Sequence, residues 1–456
     1  MVLAANSQIL VAITALLSST AVHMGSCQQD STPSSSASPS SSSSTSSSGT
    51  LPQSSPTWLP DFPKPADTIS SYPSGNGPQI TDNLSRQTLN LSAYPEPWGK
   101  PTTDHPEIQK VIQSIDWSKV PNATIHTAKS NGDLDMTGYD ASADPYCWWS
   151  ATNCVKPKTS DLPEDIYYCP RVGDWGLTYD DGPFNPTDNN STSSWSEPNL
   201  YNFLAEHNQT ATLFYIGSNV VTYPAAAQRA LNNGHVICIH TWSHPQMTAQ
   251  TNELVVAELY WSLRAVKESV GITPKCWRPP YGDVDDRVRA IAWQMGMRTV
   301  LWDEDTNDWN MPGDGGGNLS PDTVDGYFNG WIEARKNGSD NQQGHIILEH
   351  ELNNSTVSMA EKWLPQLQET FKVVTVQECM NITQPYWETS FVYPTEADPH
   401  PASNSSQNSS SSSPSASSGS SSGSADQPGS TASTMSLAFT TWMALVAPIL
   451  LFSYYL

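Results

Sequence analysis

The chain has 456 residues, with 45 acidic side chains against 21 basic ones and a formal net charge of −24. Negative charge on this scale repels phosphate backbones and anionic headgroups, so nucleic acid and anionic membrane surfaces are excluded as partners, while a neutral polymer is not. The 17 Trp and 17 Tyr suit a sugar-binding groove, although most aromatic side chains in any domain fill its core.

In chain order, Ile9 to Leu17 is a short apolar run followed by small residues, the pattern of a signal peptide over 1–26, though no Lys or Arg precedes it. Residues 27–56 are Ser/Pro-rich and bury too little apolar surface to fold, so a disordered, O-glycosylated segment is expected. Residues 57–168 hold Trp58, Trp98, Trp117, Trp148 and Trp149 among many prolines. They read as an N-terminal extension packed on the following domain and stapled at Cys147 and Cys154, with no recognisable carbohydrate-binding pattern. Residues 169–380 form the main domain, and 381–434 a Ser-rich stalk. The tail, 435–456, includes the uncharged apolar run Leu437 to Leu456. With the small triplet Gly423, Ser424 and Ala425 and a polar spacer ahead of it, this tail matches glycosylphosphatidylinositol (GPI) attachment, a tail-anchored helix being the alternative.

Thirteen N-x-S/T sequons (Asn83, Asn90, Asn122, Asn189, Asn190, Asn208, Asn318, Asn337, Asn353, Asn354, Asn381, Asn404 and Asn408) fit a secretory route. Of seven cysteines, Cys27 lies at the signal boundary; Cys147, Cys154, Cys169, Cys238, Cys276 and Cys379 could form three disulfides. Cys169 and Cys379 bracket the main domain, so a clasp between its ends is expected, with the full connectivity open.

Within the main domain short apolar strands are expected at 175–179, 212–216, 235–239, 275–278, 298–302, 345–349 and 372–376. Helical patterns lie between them at 198–207, 224–233, 252–270, 286–295, 323–336 and 356–370. The alternation predicts an α/β fold, a distorted (β/α) barrel of about seven parallel strands, with an open doubly wound sheet as the alternative. Chemistry in such folds collects beyond the strand C-termini.

The reactive-looking residues do follow strands. Thr178-Tyr179-Asp180-Asp181-Gly182-Pro183 ends the first with two adjacent carboxylates, one able to ligate a metal and the other to move a proton, although Asp-Gly-Pro is also ordinary turn chemistry. His240-Thr241-Trp242-Ser243-His244 follows the third. Two His four apart on a helical turn would point the same way and, with a carboxylate, make a three-ligand set. His235 and His345 sit at strand starts and are left out of the chemistry. Asp283, Asp285 and Asp286 read as caps of the next helix, and Gly313–Gly317 as a flexible loop.

These segments resemble the first two motifs of the NodB-type polysaccharide deacetylases, nearest to the fungal GPI-anchored chitin deacetylases. Arg278-Pro279-Pro280-Tyr281, Asp305-Thr306-Asn307-Asp308-Trp309 and Leu348-Glu349-His350 resemble the remaining three, in family order. The resemblance covers about 169–380. It implies that Asp181, His240 and His244 hold one divalent ion, zinc first and cobalt or manganese as alternatives. It makes Asp180 the general base oriented by Arg278, and His350 the general acid oriented by Asp308. The Tyr281 backbone N–H would face the oxyanion, with Trp309, Leu348 and Tyr281 around the acetyl group. Taken singly, Arg278 could be a surface cation, Asp308 a cap and Trp309 a core ring; together they make complementary roles at one mouth.

The implied activity is removal of N-acetyl groups from chitin or N-acetylglucosamine oligomers. The expected protein is a monomer on the outer cell surface or in the wall, meeting the membrane only through its lipid anchor and wall glucan through the anchor remnant. An acetyl xylan esterase or other O-deacetylase is the alternative within the chemistry, and a non-catalytic chitin-binding wall mannoprotein the alternative outside it.

Overall fold

The computed structural model describes residues 55–72, 78–81, 83–129, 133–185 and 198–400. The expected signal peptide, most of the Ser/Pro-rich segment, the apolar tail, Gly423–Ala425 and the sequons at Asn189, Asn190, Asn404 and Asn408 lie outside these residues. Among the described residues no helix is long and apolar enough to cross a membrane.

The strands are β1 (Tyr168–Cys169), β2 (Asp174–Gly176), β3 (Thr178–Asp180), β4 (Thr212–Tyr215), β5 (Val236–Ile239), β6 (Cys276–Trp277), β7 (Arg298–Thr299), β8 (Glu304–Asp305), β9 (Gly344–Leu348) and β10 (Lys372–Val374). The helices are α1 (Pro106–Ser114), α2 (Trp149–Thr152), α3 (Asn199–Glu206), α4 (Gly217–Thr222), α5 (Pro224–Asn232), α6 (Asn252–Val270), α7 (Asp286–Gln294), α8 (Pro321–Asn337), α9 (Asn354–Thr370) and α10 (Val376–Cys379). Every residue of β4 and β5 is buried. Their uninterrupted apolar runs therefore mark strands covered on both faces, as parallel sheets with flanking helices require.

The parallel pairings run β3-β4-β5-β6-β7 in one sheet, while β9 is flanked by β2 and, on its other edge, by β1 and β8. Two continuous runs join the sheets. Residues 174–180 pass from β2, beside β9 and β10, into β3, beside β4, interrupted only at Leu177. Residues 298–305 pass from β7, beside β6, into β8, beside β9. The pairings therefore return to their start around a distorted barrel. All seven expected parallel strands are present, and β1 adds an antiparallel pairing to β9.

The six expected helices are also present, and Asn252–Val270 has the expected bounds: Thr251 accepts from the Leu254 N–H, and Gly271 closes the helix in the left-handed region at φ 80°. The short α4 is not among the expected helices, and GSNVVT has weak helix propensity. It forms because the Ser218 hydroxyl donates to Trp242 O and Asn219 Nδ2 to Asp181 O, at 2.6 and 2.7 Å.

Three disulfides form, Cys147–Cys154, Cys169–Cys379 and Cys238–Cys276. The second closes a separation of 210 residues, for which loop-closure entropy gives about 5 kcal/mol. The N-terminal extension wraps α6. Tyr94 stacks on Trp242 at 5.7 Å, Trp58 meets Tyr260 at 6.1 Å, and the Arg264 guanidinium lies 4.6 Å from the Tyr94 ring. Almost all of α6 is therefore buried, where an uncovered helix would show a wet face.

Two expectations are corrected. Residues 381–395 are not stalk: Tyr386, Phe391 and Tyr393 are buried, and Glu388 pairs with Lys267 at 2.7 Å. The stalk boundary therefore moves past that point. Asn353 is not a glycan site, because it is only 2% exposed and caps α9, its Oδ1 accepting from Ser355 and Thr356 and its Nδ2 donating to Asp314 O. The sequon residues Asn83, Asn90, Asn122, Asn208, Asn318, Asn337, Asn354 and Asn381 are exposed.

His345 acts as a bolt on β9, with Asp303 at 2.8 Å, Asp340 at 3.2 Å and Glu304 at 4.0 Å. Burial lowers its pKa, but the hydrogen bonds and charges of Asp303 and Asp340 outweigh that and push it up to about 9. A group raised in this way adds stability below its unfolded pKa, near 6.5, and loses it as pH rises through its folded value. His345→Gln should be less stable than wild type by about 1–3 kcal/mol at pH 6, the gap closing by pH 10 in denaturant titrations. A gap independent of pH would refute the charge argument.

Candidate active site and metal centre

At the end of β3 the chain turns through Asp181, whose φ of 76° lies in the left-handed region that side chains avoid. Gly182 follows because a Cβ there would overlap the Glu351 carboxylate. His240 leaves the end of β5 with its N–H bonded to Tyr215 O at 2.8 Å. The expected helical turn over 240–244 is absent. Thr241 and His244 have φ of 66° and 58°, and the segment is a loop. It is shaped from outside by Glu258 of α6, which accepts from the Trp242 and Ser243 N–H groups and from the Ser243 hydroxyl at 3.0, 2.8 and 2.6 Å.

This loop brings the two imidazoles to Asp181 all the same. Asp181 Oδ1 is 3.6 Å from His240 Nε2 and 3.4 Å from His244 Nε2, and the three donor atoms lie within 4.8 Å of one another. Tetrahedral donors about 2.1 Å from a shared ion lie roughly 3.4 Å apart, so the spacing suits a small divalent cation. Asp181 Oδ1 is buried without a hydrogen-bond partner among the described residues, the state of an oxygen waiting for a cation rather than a proton donor. His240 Nδ1–H donates to Arg278 O at 2.8 Å, which fixes the tautomer and presents Nε2 as the lone pair. Burial, together with the neighbouring His244, drives the His240 pKa well down; burial also lowers that of His244 despite Asp181. Both rings are therefore neutral ligands.

Beside this set, Asp180 Oδ1 accepts from Arg278 NH1 at 2.8 Å. Burial raises the Asp180 pKa to about 6 against the opposing charges of Arg278 and His350. Arg278 itself is fully buried, its guanidinium 4.1 Å from the Phe214 ring and 5.4 Å from the Trp302 ring. Its remaining bonds go to the Thr178 hydroxyl, Val300 O and Leu301 O. Across the mouth, His350 Nδ1–H donates to Asp308 Oδ1 at 2.7 Å, and the His350 N–H to Oδ2 at 2.9 Å. Burial would lower the His350 pKa, but Asp308, with help from Asp181 and Asp180, lifts it to about 10. A base and a protonated imidazole thus sit at one mouth.

Tyr281 occupies a tight turn at φ 58°, its N–H bonded to no protein acceptor among the described residues, and its ring is 4.7 Å from that of His244. Of the expected pocket walls, the Tyr281 and Trp309 rings are exposed at the rim, whereas Leu348 is buried at the end of β9. Asp285 caps α7 as expected. Asp283 instead binds Trp148 Nε1, the Ser150 hydroxyl and Thr248, and Asp286 takes the N–H groups of Lys158 and Thr159. These carboxylates tie the extension to the mouth. Sequence reasoning gave no role to Thr178, Asn219 or Glu258. Of these, a Glu in the apolar midst of α6 was a visible signal, though nothing in the sequence said what it faced.

A parallel α/β barrel with an Asp/His/His cluster and an acid–base pair at the strand C-termini defines a metal-site hydrolase scaffold. Residues 168–300 match the polysaccharide deacetylase family. The chain is 42% identical over 332 residues to a chitin deacetylase of Amylomyces rouxii, covering 72% of this chain and 75% of that one. It is 39% identical over 313 residues to chitin deacetylase 2 of Cryptococcus neoformans var. grubii, covering 67% and 65%. Among solved structures, the chitin deacetylase of Colletotrichum lindemuthianum aligns over 48% of this chain and 92% of its own, with a TM-score of 0.41 and 24% identity. The chain belongs to the polysaccharide deacetylases, the family that includes these fungal enzymes, and is a hydrolase.

Glu258 holds the ligand loop without touching the ion site. Glu258→Ala should weaken zinc binding about 10- to 100-fold in competition with a chromogenic chelator, while the folded circular dichroism spectrum persists. Unchanged affinity would refute this positioning role.

Proposed function

We propose that this protein is a chitin deacetylase, hydrolysing the N-acetyl groups of β-1,4-linked N-acetylglucosamine to give chitosan and acetate. The observation that carries the reading is the pairing of Asp180–Arg278 and His350–Asp308 at the mouth that also holds Asp181, His240 and His244. The Amylomyces and Cryptococcus relatives, named as chitin deacetylases, supply the polymer. The ion is zinc, with cobalt or manganese able to take its place in such a donor set. The C-terminal small triplet and apolar tail support GPI attachment at the outer surface or wall.

When bound, the ion supplies Lewis-acid polarisation of the acetamide carbonyl and makes a nearby water more acidic. Asp180, aimed by Arg278, takes a proton from the water as its oxygen bonds to the carbonyl carbon. The free Tyr281 N–H donates to the oxygen that gains charge. His350, held protonated by Asp308, gives its proton to the amide nitrogen. The C–N bond then breaks, the sugar leaves as an amine and the acetyl group as acetic acid, whose remaining water proton passes to the amine to leave acetate. A proton passed from Asp180 back to His350 resets both groups.

Asp180→Asn keeps the shape of the base but removes its proton affinity. It should cut acetate release from chitin oligomers by about 10²–10⁴-fold while zinc content stays near wild type and the protein still folds, with a lower melting temperature because Arg278 loses its counter-charge. Activity unchanged from wild type would refute the assigned base. Dipicolinate should abolish acetate release and zinc or cobalt restore it; a chelated enzyme as active as the untreated one would remove the ion from the reaction. Release from acetylated xylan but not from chitin oligomers would replace the substrate proposed here.

A further inference from the structure

We infer that the groove cornered by Trp149 of the N-terminal extension and Trp302 beyond β7 binds a second sugar unit of the polymer, next to the one whose acetamide enters the mouth. This deepens, and rests on, the reading of the substrate as a β-linked N-acetylglucosamine chain. The groove encloses about 420 Å³ and is lined by Trp149, Val155, Tyr167, Trp302 and Asp305, within the size range of sites that hold small molecules. The two indoles meet edge to face at 4.8 Å and form a corner. Trp149, Tyr167 and Trp302 are all partly exposed, unlike the buried Trp148 beside them. A pyranose presents apolar C–H faces ringed by hydroxyls, so it fits aromatic walls with a polar group at one edge. Asp305 provides that group: its Oδ1 accepts from the Asn307 N–H at 2.7 Å, and Oδ2 has no donor among the described residues.

The groove adjoins the mouth through contacts of two of its walls. Trp149 packs against Gly282, where any Cβ would strike the indole, and Gly282 follows Tyr281. Trp302 lies on the Arg278 guanidinium that aims Asp180, and Asp305 precedes Asp308 by three residues. A sugar held here belongs to the same chain as the one being deacetylated. The extension is thereby a specificity element: the barrel supplies the chemistry and Trp149 reads the neighbouring unit.

The test compares chain lengths. Trp149→Leu keeps an apolar contact against Gly282 but removes the indole face, and Tyr167→Ala opens the far wall without touching Gly282. Each should raise KM roughly three- to tenfold for oligomers long enough to fill the groove, leave their kcat unchanged, and leave the shortest oligomer that is turned over unaffected. Equal losses at every length, or none at any length, would overturn the proposal. Calorimetric titration of Asp180→Asn, with and without Trp149→Leu, separates it from the catalytic reading. Oligomer binding that depends on Trp149, in a protein whose wild type releases no acetate, would leave the groove standing and sink the deacetylase. Acetate release from long oligomers that is indifferent to both substitutions would do the reverse.

Discussion

A guanidinium taken wholly out of water needs an acceptor for its N–H groups and a counter-charge, or its burial costs several kcal/mol. Arg278 finds these in the Thr178 hydroxyl and Asp180 on β3 and in the Val300 and Leu301 carbonyls beyond β7. The Phe214 and Trp302 rings pack against it at 4.1 and 5.4 Å. Side chains and carbonyls from four strand ends are thereby fixed relative to one another. The Arg278 carbonyl does a second job, accepting from His240 Nδ1 and so turning Nε2 toward Asp181. The Asp180 carboxylate and the His240 imidazole are registered through a single residue. That explains how the site keeps its geometry although much of it stands on loops.

The opposite wall follows the same logic with the charges exchanged. His350 is a buried imidazole, and burial alone would keep it neutral. Asp308 reverses the outcome by accepting both the ring and the backbone N–H of that residue. Two neighbouring environments thus hold two titratable groups apart, the Asp180 carboxyl pushed up to about 6 and the His350 imidazole to about 10.

Covering the barrel matters as much as closing it. The extension buries the outer face of α6, and Asp283 and Asp286 anchor it beside the Pro280–Gly282 turn. Arg289 completes the anchorage, binding Asp165 at 2.7 Å and the Cys147 and Cys154 carbonyls. Three buried or half-buried carboxylates and a buried arginine are a heavy polar investment for a segment that only shields. The investment is better explained if the extension also holds Trp149 at the edge of the mouth.

Composition and periodicity determined the larger plan. Parallel strands buried on both faces read as unbroken apolar runs, so β4 and β5 were legible, as was the helix Asn252–Val270 with its Thr251 cap and Gly271 stop. The reactive residues were legible because this architecture gathers strand C-termini at one mouth, so Asp180, His240, Arg278, Asp308 and His350 could be placed together from spacing and resemblance alone. What the tertiary structure decided depends on partners distant in sequence. The 240–244 segment is a loop with two left-handed residues, and not a helical turn, because Glu258 captures its N–H groups from another helix. The helix Gly217–Thr222 forms against its propensity because Trp242 O and Asp181 O accept its side chains. Residues 381–395 join the core through Glu388 and Tyr386, and Asn353 is a helix cap in sequon form. Asp181, His240 and His244 were written locally, but their convergence was not: a candidate ligand set needs orientation as well as identity, and orientation came from hydrogen bonds that no local pattern encodes.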